Sequence, residues 1–210
     1  NHERMLAFNT FKTIFIHIPK TAGSTVGDML FSQKTLGHTD LKDFQLFFSK
    51  KEFNSYFKFS VVRNPWDKIV STFNHIHEKE PTNNIFKELK TIKDFSEFIY
   101  FLRDLDVNKH RFFNQQYQFL MKNKNELAVD FIAYFETLDE DMLFVQKKLN
   151  VPVIPLKHLN KSHKKQHNYM NYYTKETRQI ISKLYQTDIA LFGYTFDNKN
   201  IKKHKLNQSS

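Results

Sequence analysis

Residues 14–25 read IFIHIPKTAGST: a short β-branched and aromatic run that breaks at Pro19 and opens at once onto Lys20, Gly23, Ser24 and Thr25. A buried strand running into a cation, a glycine and two hydroxyls offers an anion backbone N–H groups, a point charge and the start of a helix. The stretch therefore predicts a strand, loop and helix that cradle a phosphorylated ligand. It is not a Walker A loop, G-x-x-x-x-G-K-S/T, because Pro19 stands where the glycine before the lysine belongs and Ile14 where the first glycine belongs. The lysine follows the strand almost directly, and the cradle is Lys20, Thr21, Ala22, Gly23, Ser24 and Thr25. Gly23 would let the backbone approach the anion, and Lys20 could neutralise a bridging or leaving oxygen. The plain alternative is a strand-to-helix turn carrying a surface lysine.

Outward from this stretch, Thr13 to Ile18 reads as a buried strand and Ser24 to Phe31 as a helix with Val26, Met29 and Leu30 on one face. Leu41 to Phe53 reads as helical, and Phe57 to Val62 as a second strand. Asn64 caps a helix with Pro65 in its first position and Ile69, Val70, Phe73 and Ile76 as its buried stripe. Polarity rises from His77 to Lys93, with Pro81 inside, which predicts a long loop bordering a substrate cleft. Asp94 to Leu102 and His110 to Met121 fit helices, and Val129 to Phe135 a third strand. Thr137 to Leu149 has a one-faced helical pattern, Lys157 to Asn171 is a basic loop, and Thr174 starts a last helix reaching about Phe192. Strands alternating with helices predict an α/β fold of three layers, a mainly parallel central sheet flanked by helices on both faces. Without repeats or low-complexity linkers, the expected count is a single domain over 1–210, with 1–9 and 198–210 as flexible ends.

The 210 residues, 40% of them hydrophobic, suffice for a core. With 23 Phe but only 4 Gly, each glycine is suspected of a backbone reason. Zero cysteines exclude disulfides, a thiol nucleophile and a Cys-based zinc site. No apolar run approaches the ~18 to 20 residues of a membrane span, and residues 1–9 lack the apolar core of a signal peptide, so the expected location is cytoplasmic. The formal charge of +10 suits an anionic partner, and much of the excess lies in Lys157, Lys161, Lys164, Lys165 and the tail.

A second constellation is VVRNPWDKIVS, residues 61–71. Arg63 ends a strand, where ligands collect in open parallel sheets, and a guanidinium there can grip a phosphate bidentately. Ser71 lies two helical turns beyond the Asn64 cap on the same face, so Arg63 and Ser71 could hold one phosphate; alternatively Arg63 pairs with Asp67 and Ser71 is merely solvated.

Together, HIPKTAGST and VVRNPWDKIVS closely resemble the 5′-phosphosulfate loop and 3′-phosphate motif of sulfotransferases that use 3′-phosphoadenosine 5′-phosphosulfate (PAPS), in particular the carbohydrate-modifying branch. FIAYFETLDEDM, HLNKS and LYQTDIALFGYTF resemble its later blocks. The resemblance implies a P-loop NTPase-like fold and transfer of sulfonate from PAPS to a hydroxyl of a saccharide or glycolipid acceptor, leaving 3′-phosphoadenosine 5′-phosphate (PAP). By motif position it implies that Lys20, Thr21, Ala22, Gly23, Ser24 and Thr25 hold the 5′-phosphosulfate and Arg63 and Ser71 the 3′-phosphate. It further implies that Asn160, Lys161 and Ser162 close over the nucleotide.

In-line transfer needs charge stabilised on the leaving oxygen and a proton removed from the acceptor. Lys20 suits the first role. His38, in the segment LGHTD where sugar-modifying relatives place a histidine, is the leading base; an imidazole titrates near neutrality. His75 and His77 rank behind it, and Glu52 and Glu78 are carboxylate alternatives. His163 and His167 share helical spacing, but without a carboxylate and among lysines they make no metal site, and none is expected. Two other readings stay open: a nucleotide or small-molecule kinase with an irregular P-loop, and a basic, aromatic-rich nucleic-acid-binding module. The first lacks Walker glycines and a clear acid for magnesium. The second lacks a recognised RNA-binding motif, so no nucleic acid is expected as partner.

Overall fold

The computed structural model describes residues 2–33, 36–81, 83–124, 126–155 and 168–201. In chain order the elements are α1 (His2–Phe11), β1 (Thr13–Ile16), α2 (Gly23–Phe31), α3 (Leu41–Phe44), α4 (Lys50–Ser55), β2 (Phe57–Val62), α5 (Pro65–Glu78), α6 (Asn84–Thr91) and α7 (Phe95–Asp104). They continue with α8 (Gln116–Leu120), β3 (Met121–Asn123), β4 (Glu126–Leu127), β5 (Phe131–Tyr134), α9 (Leu138–Lys148), α10 (Lys175–Leu184) and α11 (Gln186–Phe192). The chain forms two compact units, residues 1–63 with 116–163 and residues 64–115 with 164–210.

The first unit holds a three-stranded, wholly parallel sheet in the order β1, β2, β5, flanked by helices, as the alternating pattern predicts. Phe15 pairs with Phe59 and Val61 with Ala133 across the ladders. The strands read as apolar runs because they are buried, β1 at every position and β2 at all but its first. A hydrophobic cluster joins the sheet to the helices: Phe15 stacks on Phe59 at 4.8 Å, and Phe8 packs edge-on to Phe31 at 5.2 Å. Phe8 is wholly buried, which is why residues 2–11 form a helix and not the flexible end expected of 1–9. β3 and β4 make a small antiparallel hairpin that sequence reading did not anticipate.

The second unit is helical. α10 packs on α7 and α5, and α6 on α5. Tyr185, wholly buried, donates its hydroxyl to the Phe113 carbonyl at 2.6 Å; its backbone leaves helical geometry, so the expected single C-terminal helix is two, α10 and α11.

Three further expectations change. Leu41 to Phe53 is not one helix, because Ser49 starts a new one: its hydroxyl accepts from Glu52 N and its N–H donates to the Glu52 carboxylate. The loop expected from His77 to Lys93 contains α6, whose start is capped by Asn83 and whose Phe86 and Leu89 are buried. Between His110 and Met121 only Gln116–Leu120 is α-helical. Residues 112–114 have their carbonyls taken by side chains, Lys68 Nζ reaching those of Phe112 and Asn114 and Tyr185 that of Phe113.

Candidate functional site

The cradle follows β1 directly. Lys20 (φ 66°) and Ala22 (φ 69°) both adopt the left-handed conformation, which turns the chain sharply within three residues. Thr21 between them is wholly buried and donates its hydroxyl to the Ile18 carbonyl at 3.0 Å, so its side chain staples the loop and only its backbone remains for a ligand. Ala22 is the N-cap of α2 and supplies no side-chain cap. Gly23, Ser24 and Thr25 are the first three helical residues, whose N–H groups have no partner within the helix. Such a start, with the lysine beside it, suits an anion.

Gly23 has a reason the sequence did not disclose. A Cβ there would lie 1.7 Å from Cδ2 of His17, so the glycine exists to admit the His17 ring. That ring is buried, parallel to Phe15 at 6.1 Å. Burial first, then the neighbouring His38, pulls the His17 pKa down to about 3, so the imidazole is neutral at physiological pH. Its Nδ1 has no hydrogen-bond partner among the described residues. His17 lies inside the opening motif, and only its position between two isoleucines could have flagged it.

Arg63 ends β2. Its Nη1 donates to the Lys20 carbonyl at 3.0 Å, and its guanidinium lies 4.0 Å over the Phe135 ring. Gln116, wholly buried, fixes the Arg63 backbone twice: Oε1 accepts from Arg63 N at 2.9 Å and Nε2 donates to its carbonyl at 2.8 Å. Two basic residues at the carboxyl ends of adjacent parallel strands are thus joined by a hydrogen bond, beside a helix start without a side-chain cap.

His38 belongs to the same unit. Its Nδ1 lies 3.2 Å from the His17 carbonyl oxygen, and its ring centre 4.3 Å from that of His17. A carbonyl can only accept, so Nδ1 carries the proton and Nε2 is the basic nitrogen. The loop bearing His38 is held from α1: Arg4 Nη1 donates to the Leu36 carbonyl and to Thr39 Oγ1 at 3.2 Å.

The second motif divides between the units, with Arg63 in the first and Asn64 to Ser71 in the second. Most of its later residues are architectural. Asn64 Oδ1 caps α5 at Trp66 N, and Asn64 Nδ2 donates to the Thr195 carbonyl. The Trp66 indole donates to the Arg178 carbonyl, and the Tyr173 hydroxyl to the Trp66 carbonyl. Lys68 is wholly buried on the carbonyls of Phe112 and Asn114. Ser71 is half-buried on α5.

Of the remaining base candidates, His75 stacks on Phe112 at 5.6 Å and lines a cleft of about 380 Å³ with Ile76, Lys79, Glu80, Phe86 and Phe112. Both ring nitrogens of His77 are engaged, Nδ1 at the Phe73 carbonyl and Nε2 at the Ile92 carbonyl, each 2.8 Å, so His77 ties α5 to the end of α6. Glu52 is consumed by its capping box, whose hydrogen bonds from Ser49 lower its pKa. Glu78 is exposed at the end of α5. Asn160, Lys161 and Ser162 lie outside the described residues. Among the described residues no group of three His, Cys, Asp or Glu could hold a metal ion, and no helix is long and apolar enough to cross a membrane.

Comparison with known proteins gives these residues a context. The profile of the Sulfotransferase family matches residues 3–195. Carbohydrate sulfotransferase 10 of Xenopus laevis is 26% identical over 175 residues, covering 67% of this chain and 48% of that protein. Carbohydrate sulfotransferase 12 of the same species is 25% identical over 176 residues, covering 69% of this chain and 41% of that protein. An uncharacterized protein of Archaeoglobus fulgidus is 34% identical over 104 residues, covering 49% of this chain and 75% of its own length. The chain therefore spans less than half the length of the two carbohydrate sulfotransferases. No solved structure matches significantly.

Proposed function

The chain belongs to the sulfotransferase family, and we propose that it moves the sulfonate of PAPS to a hydroxyl of a saccharide acceptor, with Lys20 and His38 as catalytic residues. PAPS, when bound, supplies an activated sulfonate on a phosphate leaving group. The cradle suits it on physical grounds: left-handed Lys20 and Ala22 bend the chain around the start of α2, which no side chain caps, and Lys20 and Arg63 bring two positive charges.

The residues then divide the work. Lys20 and the N–H groups of Gly23, Ser24 and Thr25 bind the phosphosulfate end and stabilise negative charge developing on the leaving oxygen. Arg63, braced by Gln116 and Phe135, binds the 3′-phosphate. His38 accepts the acceptor's hydroxyl proton at Nε2, while its Nδ1–H stays on the His17 carbonyl and holds the ring in that tautomer. The saccharide acceptor is inferred from the names of the two carbohydrate sulfotransferases.

The observation that carries this reading is the hydrogen bond joining Arg63 to the Lys20 backbone at two adjacent strand ends. It is tested by incubating the protein with labelled PAPS and a panel of saccharides. Label should appear on a saccharide with the wild type and be lost with Lys20→Ala. His38→Ala should lower turnover while leaving PAP affinity nearly intact. Absence of transfer, together with magnesium-dependent phosphoryl transfer from ATP, would replace this reading with a kinase.

A further inference from the structure

Arg4 is a buried cation with unusual company. It is 5% exposed, and among the described residues no carboxylate pairs with it. Its guanidinium instead lies 5.5 Å over the Phe44 ring, and Nη1 donates to two oxygens of one loop, the Leu36 carbonyl and Thr39 Oγ1. Those acceptors bracket His38. Gly37, between them, has φ +66°, and a Cβ there would come within 3.3 Å of Arg4 Nη1. Arg4 Nε has no hydrogen-bond partner among the described residues. Desolvating a guanidinium without a counter-charge is costly, and apolar packing alone could anchor α1, as Phe8 already does. What an apolar residue could not do is hold polar atoms on both sides of His38 at once.

We propose that Arg4 is a positioning residue for His38: by clamping Leu36 and Thr39 it keeps His38 Nδ1 on the His17 carbonyl and Nε2 as the proton-accepting nitrogen. The inference rests on His38 being the base. Without the clamp the loop relaxes, Nδ1 loses its acceptor, and the imidazole is no longer fixed in tautomer or direction. The donor cradle is untouched, because Lys20 to Thr25 make no hydrogen bond to Arg4. A residue that positions the base should therefore act on kcat and spare donor binding.

The test compares Arg4→Ala, Arg4→Lys, Thr39→Val and His38→Ala in two measurements, sulfonate transfer from labelled PAPS to the best saccharide of the panel and PAP binding by calorimetry. Arg4→Ala should lower kcat about tenfold to a hundredfold, the range typical of groups that orient a functional histidine, with PAP Kd changed less than about twofold. Arg4→Lys should recover most of the loss, since an ammonium can donate to the same two oxygens. Unchanged kcat in Arg4→Ala beside an impaired His38→Ala would overturn the positioning role alone. Equal losses of kcat and PAP affinity in Arg4→Ala would mark it as merely structural and also overturn the role. If Arg4→Ala does not fold, Thr39→Val decides: reduced kcat at wild-type PAP affinity supports the clamp, and wild-type kcat refutes it. Wild-type turnover by His38→Ala would overturn the base assignment and the clamp with it.

Discussion

The two strand-to-helix junctions named by the sequence start their helices in opposite ways. α2 begins at a left-handed alanine with no side-chain cap, whereas α5 begins at Asn64, whose Oδ1 accepts from Trp66 N and whose Nδ2 binds the Thr195 carbonyl. The first start remains available to an anion; the second has its own side chain as ligand. A helix terminus can serve folding or binding, and a cap is the visible sign of which it serves. At the second junction the proposed function therefore gives phosphate recognition to a side chain, that of Arg63, whose backbone Gln116 holds.

Substitutions can break this contrast. The largest effect is expected for Lys20→Ala, which should lower turnover about a hundredfold to a thousandfold, as removal of a donor to a developing oxyanion does; steady-state transfer from PAPS measures it. Arg63→Ala should weaken PAP by about 1.5 to 3 kcal/mol through lost charge-assisted contacts, read by calorimetry. Gly23→Ala should destabilise the protein by about 1 to 3 kcal/mol in denaturant unfolding, because its methyl collides with a His17 ring hemmed in by Phe15 and His38. Unaltered stability would show that His17 can move away.

His17 also predicts a pH dependence. The unfolded chain protonates it near pH 6.5 and the folded chain only near 3, so below pH 6.5 the unfolded state binds more protons. Stability should fall by about 1.4 kcal/mol per pH unit from this group as pH drops from 6.5 towards 3, and be fully present above 6.5. Urea unfolding at pH 7.5 and 5 should show that slope reduced in His17→Asn. The smallest effect belongs to Asn64→Ala, about 1 kcal/mol or somewhat more of stability with PAP affinity near wild type. A binding loss exceeding the stability loss would erase the distinction between the two junctions.

The three strands of the parallel sheet and the second helix start are the most legible in the sequence, because apolar runs and an Asn-Pro step are local signals. The apolar run Phe57–Val62 is β2, and Asn64 before Pro65 is the cap of α5. Interruptions were harder. The break at 112–114 depends on Lys68 and Tyr185, distant in sequence, and α1 on the burial of Phe8 against Phe31 and Phe44. The cradle residues were legible as a motif, but their individual reasons were not: Thr21 staples the loop and Gly23 makes room for His17. No periodicity encodes that His17 and Arg4 converge on the loop of His38, since β1 and α1 meet it only in the folded chain.

Under the proposed function the first junction and Arg63 accept a nucleotide bearing a 3′-phosphate, and thermal unfolding with PAP alone and with ADP plus magnesium measures this. PAP should raise Tm in the absence of any metal, more than ADP with magnesium does, and the shift should vanish in Lys20→Ala and Arg63→Ala. A larger shift with magnesium ADP, or a PAP shift unaffected by both substitutions, would contradict it.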